Sequence, residues 1–249
     1  MGLIKNASAI QALRESGKIL AEGLFATVDA VTSGITTDEL DQLFLNTIKK
    51  YGAEPSFTGY RGYPKAICTS VNDEVVHAIP SNRTLKEGDI IGVDCGVRYK
   101  GYCTDMARTV GVGVISEELE RLLTVTQDAL YAGIDQLHPG NRIGDIGAAI
   151  QSYAEQERYG IVRALVGHGV GEEVHEDPQI PNYGKKGTGD ELQTGMVLAI
   201  EPMFTLGTHE VVFDEQDGWT VRTADGSFAA HFEETVVVLE EGPEILTKI

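Results

Sequence analysis

Hydrophobic residues recur at helical spacing in four segments of the chain. Leu40, Phe44 and Ile48 fall on one face when wound at 3.6 residues per turn. This spacing predicts amphipathic helices over residues 16–32, 37–50, 117–137 and 143–158. Thr37 has the residue type and position of the N-cap of the second helix.

Runs of β-branched and aliphatic residues predict strands between and after these helices. The clearest runs are Asp89–Val93, Val197–Ile200 and Thr235–Leu239. Asp225-Gly226 is typical of a two-residue turn and predicts a hairpin between strands at 219–223 and 228–239.

The predicted elements occur twice along the chain. LKEGDIIGVD (Leu85–Asp94) resembles LQTGMVLAIE (Leu192–Glu201), 107 residues later, and two predicted helices precede each copy. The repeat predicts an α+β fold in which two related halves, roughly 10–110 and 117–240, pack about a pseudo-twofold axis. We expect one domain over residues 1–249, with a central antiparallel sheet and outer helices.

Composition narrows the function classes. The formal net charge of -18 repels phosphate backbones and argues against DNA as the main ligand. Such charge is typical of a soluble or salt-adapted surface, or else some of the carboxylates bind cations. Three cysteines without a C-x-x-C pair predict reduced thiols and a cytoplasmic protein. No apolar run has the roughly 20 residues that a membrane helix needs.

The stretch GVDCGVRYKGYCTDMART places two acids in a predicted hairpin. If Tyr99-Lys100 is its tip, then Asp94 and Asp105 lie directly opposite each other and point to the same face. Two ionised carboxylates at this separation repel each other, and a shared proton or a bound metal relieves the repulsion. The alternative is a solvent-facing hairpin with two ordinary surface acids.

The second half supplies further candidate ligands. Glu201 occupies the repeat position of Asp94, Glu233 lies in the strand-like run AHFEETVVVL, and His168 is flanked by glycines in GHGVG. Four carboxylates and one imidazole suit a pair of divalent ions such as Mn²⁺, Fe²⁺ or Co²⁺ better than a structural zinc site. The remaining histidines are ambiguous or lack context. His77 and His175 fit a site or a structural role, and we read His138, His209 and His231 as structural or surface residues.

Together, Asp94, Asp105, His168, Glu201 and Glu233, with GHGVG, IEPMF and FEET, resemble the metal-binding set of the type I methionine aminopeptidases. These belong to the M24 peptidases. The resemblance covers residues ~4 to ~246 and implies the pita-bread (creatinase/aminopeptidase) fold. It also implies two divalent ions per chain, with Mn, Fe, Co and Zn all open. The family pattern aromatic-Glu-x-Thr selects Glu233, and strand alternation then turns Glu234 away from the metals.

Roles for single residues follow from the resemblance. Asp105 and Glu233 resemble the residues that bridge both metals, Asp94 the chelating acid of one, and His168 and Glu201 the remaining ligands of the other. His77 resembles the residue that contacts the scissile amide, and His175 the residue that stabilises the negative oxygen of the tetrahedral intermediate. The resemblance implies a bridging hydroxide as nucleophile, with Glu201 as proton shuttle.

The residues that match the methionine pocket of the family are Phe57, Tyr60, Tyr63, Cys68 and Trp219. His168 and Glu201 lie 33 residues apart, which leaves no room for the helical insert of type II members. Val174 departs from the family pattern, where an aromatic residue is frequent before the histidine. This departure affects the details of the pocket and not the reaction.

The implied activity is removal of the initiator methionine from nascent proteins whose next residue is small. The implied substrates are the N-termini of nascent polypeptides, on a monomer that binds neither DNA nor membrane. Such an enzyme could also associate transiently with the ribosome, but no motif in the sequence indicates this association. The alternative is a prolidase or an aminopeptidase P of the same fold, and a non-catalytic binding module would have lost metal ligands that are all present here.

Overall fold

The computed structural model describes residues 3–249, which contain four α-helices and fifteen β-strands. The helices are α1 (Ala7–Asp29), α2 (Thr37–Lys49), α3 (Glu117–Ile134) and α4 (Ile143–Glu157). The strands before α3 are β1 (Glu54–Pro55), β2 (Ile67–Val71), β3 (Glu74–Val76), β4 (Ile90–Tyr99) and β5 (Tyr102–Gly111). The strands after α4 are β6 (Gly160–Ile161), β7 (Gly167–Gly169), β8 (Glu176–Ile180), β9 (Val197–Ile200), β10 (Met203–Thr205), β11 (Val211–Phe213), β12 (Val221–Thr223), β13 (Ala229–His231), β14 (Glu234–Leu239) and β15 (Gly242–Ile245).

The helices lie close to the predicted segments, and their starts follow local capping. The N-cap of α2 is Thr36 and not the predicted Thr37, because Thr36 and Glu39 form a reciprocal capping box. Helix α1 begins at Ala7, nine residues before the prediction. The Asn6 side chain accepts from the Ala9 N–H, and Ile10 and Leu13 extend its buried face.

Two antiparallel sheets carry the centre of the molecule. In the first, β4 pairs with β5 on one edge and with β1 and β2 on the other. The second has the strand order β15-β14-β9-β7-β8. Each helix pair packs with its own half in a separate hydrophobic core, with α1 and α2 against β4 and α3 and α4 against β9. In residues 3–249, no helix has the length and apolar character needed to cross a membrane.

The hairpin of β4 and β5 turns at Lys100-Gly101, one residue later than predicted. Both residues have positive φ angles, 51° and 84°, as a type I′ turn requires, and glycine supplies the second position without strain. Asp105 therefore lies opposite Gly96, and Asp94 lies opposite Ala107. The predicted direct opposition of Asp94 and Asp105 is wrong, but the two residues share one face as diagonal neighbours.

The predicted hairpin at Asp225-Gly226 is also wrong. Strand β12 pairs with β11 and β3, whereas β13 pairs with β10, so the two segments that flank this turn diverge. The Asp225 carboxylate accepts from the Thr208 N–H at 2.8 Å and from the Ser227 N–H at 3.0 Å. These bonds tie the turn to a neighbouring loop and not to a strand partner.

A short seam joins the two sheets. Ala107 of β5 forms an isolated antiparallel bridge with Glu233, the residue before β14. Two residues after Glu233, the Thr235 hydroxyl accepts from the Asp105 N–H at 2.9 Å and donates to the Asp105 carbonyl at 2.8 Å. Because both residues are buried, the threonine of the FEET motif holds the first half against the second at the level of Asp105.

We expect Thr235→Val to lower the free energy of unfolding of the metal-free protein by about 1–3 kcal/mol. Valine keeps the shape but leaves a buried N–H and carbonyl of Asp105 without partners. Urea denaturation measures the change, and Thr124→Val on the exposed face of α3 is the control, with an effect within about 0.5 kcal/mol. Equal stabilities of the Thr235 variant and the unaltered protein would show that the seam does not depend on this hydroxyl.

Candidate active site

Five elements bring the predicted metal ligands to one point. Asp94 and Asp105 lie on β4 and β5, His168 is the middle residue of β7, Glu201 follows β9, and Glu233 precedes β14. One ligand atom from each of Asp105, His168 and Glu233 lies within 4.8 Å of the others. The His168 Nε2 is 3.4 Å from Glu201 Oε1. The predicted convergence of ligands from both halves is therefore present in the structure.

The acids at this point lack the partners that a buried carboxylate needs. Asp94 Oδ1 and Glu233 Oε1 are buried and accept no hydrogen bond. An unpaired carboxylate in such surroundings carries a large desolvation cost, which bound cations would remove. The donor set of four carboxylates and one imidazole fits divalent ions that prefer oxygen and nitrogen ligands.

Without a cation, protons stabilise the cluster. Burial raises the pKa of Asp94 to about 7. Burial, followed by the repulsion of Asp94, raises the pKa values of Asp105 and Glu201 well above their usual range. Burial, followed by the repulsion of Asp105, likewise raises the pKa of Glu233 well above its usual range. Metal binding at neutral pH must therefore displace protons from these groups.

His168 is held as a neutral ligand. Its Nδ1 lies 2.9 Å from the Gly169 carbonyl, which can only accept, so the ring proton is on Nδ1 and the Nε2 lone pair faces the acids. Burial, then the neighbouring His175, lowers its pKa to about 3. The flanking glycines serve close packing, since a Cβ on Gly167 would lie 2.4 Å from the Ala199 carbonyl oxygen. Neither Gly167 nor Gly169 has a positive φ, so these positions do not require glycine for an unusual backbone angle.

All the predicted site residues line one cavity of about 790 Å³. Tyr63 and Trp219 meet edge to face with their ring centroids 5.0 Å apart. Cys68 is paired with Asp94 across β2 and β4, so the apolar wall begins directly beside the acids. Phe57 is buried against Gly96, where a Cβ would lie 2.9 Å from its ring.

The two further histidines, His77 and His175, line the same cavity. His77 follows β3 with a φ of 62°, and burial, then His175, lowers its pKa to about 4. His175 is exposed at the mouth, with its ring centroid 4.3 Å from that of His168 and 5.0 Å from that of Tyr60. Burial, then Arg61, lowers the His175 pKa.

Glu234 turns away from the cavity, as strand alternation predicted. It pairs with Arg108 and accepts from the Thr247 hydroxyl. The Arg108 guanidinium also donates to the carbonyls of Ala107 and Glu233, each at 2.8 Å. This buried ion pair therefore supports the backbone of Glu233 from behind.

Sequence reasoning missed His231. The residue is 3% exposed, and its Nε2 lies 3.8 Å from Glu201 Oε2 and 4.0 Å from Glu233 Oε2. We had read it as structural or surface, yet it has a place at the cluster. Its position two residues before Glu233 was the available signal, because alternate residues of an extended segment face the same side.

The comparisons with known proteins agree with this geometry. Metallopeptidase family M24 matches residues 11–240. The methionine aminopeptidase of Clostridium acetobutylicum is 52% identical over 248 residues, which cover 99% of each chain. The crystal structure of the methionine aminopeptidase of Thermotoga maritima has a TM-score of 0.97 and 46% identity and covers 99% of each chain.

A prolidase of Pyrococcus horikoshii shares the fold alone. Its TM-score is 0.80 at 23% identity, and the alignment covers 99% of this chain but 63% of the prolidase chain. Methionine aminopeptidases and prolidases thus have the pita-bread arrangement seen here, and the first group matches end to end. The ligand geometry and the match over residues 11–240 place this chain in metallopeptidase family M24.

Proposed function

We propose that this protein removes the N-terminal methionine from polypeptides whose second residue is small. The observation that carries the proposal is the junction of two surfaces in one cavity. Buried, unpartnered carboxylates form its inner end, and an apolar aromatic wall adjoins them. The full-length similarity to methionine aminopeptidases supports the same activity.

Asp94, Asp105, His168, Glu201 and Glu233 would hold two divalent ions. Such a pair acidifies water to supply a nucleophile and polarises the scissile carbonyl. Carboxylate-rich ligation supports Mn²⁺, Fe²⁺ or Co²⁺, with Zn²⁺ also open. Elemental analysis of protein purified from its native host would identify the ion.

The remaining residues would bind and orient the substrate. Asp94 would lie near the free amine, because it borders both the acids and the apolar wall. Tyr63, Trp219 and Cys68, with Phe57 and Tyr60, would enclose the flexible thioether of methionine, which packs well against aromatic rings.

Three groups would handle protons and developing charge. The pKa values of His77 and His175 are lowered, which favours their neutral forms, and each neutral ring can donate one N–H, His77 to the scissile amide and His175 to the oxyanion. Glu201 would carry the proton from the nucleophile to the leaving amine, because its carboxylate lines the cavity beside the other proposed ligands.

Several finer statements belong to this proposal. Three buried free cysteines support a cytoplasmic location. We also propose one catalytic domain over residues 1–249, which acts as a monomer on nascent chains. Transient association with the ribosome is compatible with such substrates.

We expect metal-loaded protein to release methionine from a Met-Gly-Met peptide and to leave a Gly-Pro peptide intact, because the aromatic pocket fits the thioether. A chelator should abolish this release. Liquid chromatography of the products measures both. Preferential cleavage of the Gly-Pro peptide would favour the prolidase alternative.

In the same assay Asp105→Ala and Glu233→Ala should lose turnover and retain little metal, as measured by elemental analysis of the desalted proteins. Glu240→Ala removes an exposed acid and is the control for the loss of one charge. Full activity of either ligand variant in the presence of chelator would refute the metal assignment.

His77→Ala should keep its metal and lose roughly 10²–10³-fold in kcat, since a hydrogen bond to the reacting amide acts mainly in the transition state. His77→Asn accompanies it, because asparagine tolerates the positive φ at this position. Steady-state kinetics and the metal content of each variant measure the two effects. Loss of metal from both variants would make His77 a ligand instead.

The metal-free protein should become less stable, relative to its Asp94→Asn variant, as the pH rises from about 4 to about 7. Over this interval the folded protein keeps the Asp94 proton while the unfolded chain loses it, so rising pH favours unfolding. Urea denaturation at a series of pH values measures the difference, and a saturating divalent ion should remove it. A difference that stayed constant with pH would contradict the raised pKa.

A further inference from the structure

His231 is fixed by its backbone at the edge of the metal-binding cluster. It is the last residue of β13 and pairs with Met203 of β10. The Thr109 hydroxyl accepts from the His231 N–H at 2.9 Å and donates to the His231 carbonyl at 2.8 Å. Because these groups are buried on both sides, the imidazole has little room to withdraw from the acids.

The Nε2 of His231 is buried and has no hydrogen-bond partner. The acid oxygens recorded beside it are Glu201 Oε2 at 3.8 Å and Glu233 Oε2 at 4.0 Å. Both distances exceed a normal hydrogen bond by less than 1 Å, so a small rotation of either side chain would close the gap. Buried polar atoms normally have a hydrogen-bond partner, and the carboxylates of Glu201 and Glu233 are the groups near enough to serve as the partner of this nitrogen.

Two imidazoles therefore flank the carboxylate of Glu201. The His168 Nε2 faces Oε1 at 3.4 Å, and the His231 Nε2 faces Oε2. The two rings differ in where they carry the proton. The Gly169 carbonyl fixes the His168 proton on Nδ1 and leaves its Nε2 as a lone pair. When Glu201 and Glu233 are ionised, an Nε2–H on His231 is attracted to both, whereas an Nε2 lone pair would be repelled.

We propose that His231 is a positioning residue of the metal centre. It donates its Nε2–H to Glu201 Oε2 when that carboxylate is ionised, and it thereby holds Oε1 beside His168 for the metal. The inference rests on the proposed function in one respect, the binding of divalent ions by the five ligands. Hydrogen bonds of this kind to a ligating carboxylate typically change metal affinity by about 10–100-fold.

The test compares two variants of similar size in the metal-free full-length protein. His231→Leu fills the space and removes the donor, whereas His231→Gln retains an N–H donor that can reach Glu201. Isothermal titration with Mn²⁺ gives the affinity and the number of ions bound. His209→Leu and His209→Gln, at an exposed histidine away from the cavity, are matched controls. Thermal unfolding of each metal-free variant establishes that it is folded.

We expect His231→Leu to weaken Mn²⁺ binding by about 10–100-fold and His231→Gln to restore most of the affinity. Equal affinities of His231→Leu and the unaltered protein would overturn the proposal. So would equal losses in the Leu and Gln variants, because they would show that the ring matters for its shape and not for its donor. If the unaltered protein binds no Mn²⁺ and releases no methionine, the proposed function fails together with this inference.

A spectroscopic measurement separates positioning from direct ligation. In protein labelled with ¹⁵N-histidine and loaded with Zn²⁺, we expect the His231 proton on Nε2 and the His168 proton on Nδ1. A His231 proton on Nδ1, with its Nε2 shifted by the metal, would make His231 a ligand and overturn the positioning role.

Discussion

Four largely buried carboxyl groups converge at the wall of one cavity, where burial strengthens the repulsion between their charges. Asp94 and Asp105 come from one half of the chain, and Glu201 and Glu233 come from the other. Their mutual repulsion can be relieved by protons or by cations, and the raised pKa values show that protons fill this role when no cation is bound. The surrounding architecture is best understood as the means of holding these groups together against that repulsion.

The contacts that join the two sheets behind these acids use a neutral hydroxyl and a buried ion pair. Thr235 uses one hydroxyl as donor and acceptor to fasten the Asp105 backbone. Arg108 offsets its own charge with Glu234, and its Nη1 donates to the backbone carbonyls of Ala107 and Glu233. These hydrogen bonds fix the backbone behind Asp105 and Glu233, while Asp94 Oδ1 and Glu233 Oε1 have no hydrogen-bond partner.

Patterns of spacing predicted the architecture better than they predicted local register. The repeat at Leu85 and Leu192 anticipated two similar halves with helices outside, since hydrophobic periodicity is a property of long segments. The register of the Asp94–Asp105 hairpin depends on one turn, which the sequence pattern predicted at Tyr99-Lys100. The turn lies at Lys100-Gly101 instead, because both of its central residues need a positive φ and glycine adopts one without strain. An error of one residue there still left both acids on the same face, so the expected closeness of Asp94 and Asp105 does not depend on that register.

Other features depended on partners distant in the sequence. Asp225-Gly226 has the composition of a hairpin turn, but the Asp225 carboxylate accepts a hydrogen bond from the Thr208 N–H in a neighbouring loop. For His231, strand alternation could indicate the face it shares with Glu233, but its closeness to Glu201 follows only from the fold. Contacts between remote segments are beyond what a local pattern can specify, and in this protein the metal site consists largely of such contacts.

The bridge between Ala107 and Glu233 joins the two halves of the chain at the proposed metal site. Asp94 and Asp105 belong to one half and His168, Glu201 and Glu233 to the other, so the proposed metal site is complete only when both halves have folded and docked. Metal binding would then stabilise the assembled protein over partly folded states, because the binding energy is available only to the assembled protein. A chain in which only one half has folded would therefore bind ions weakly.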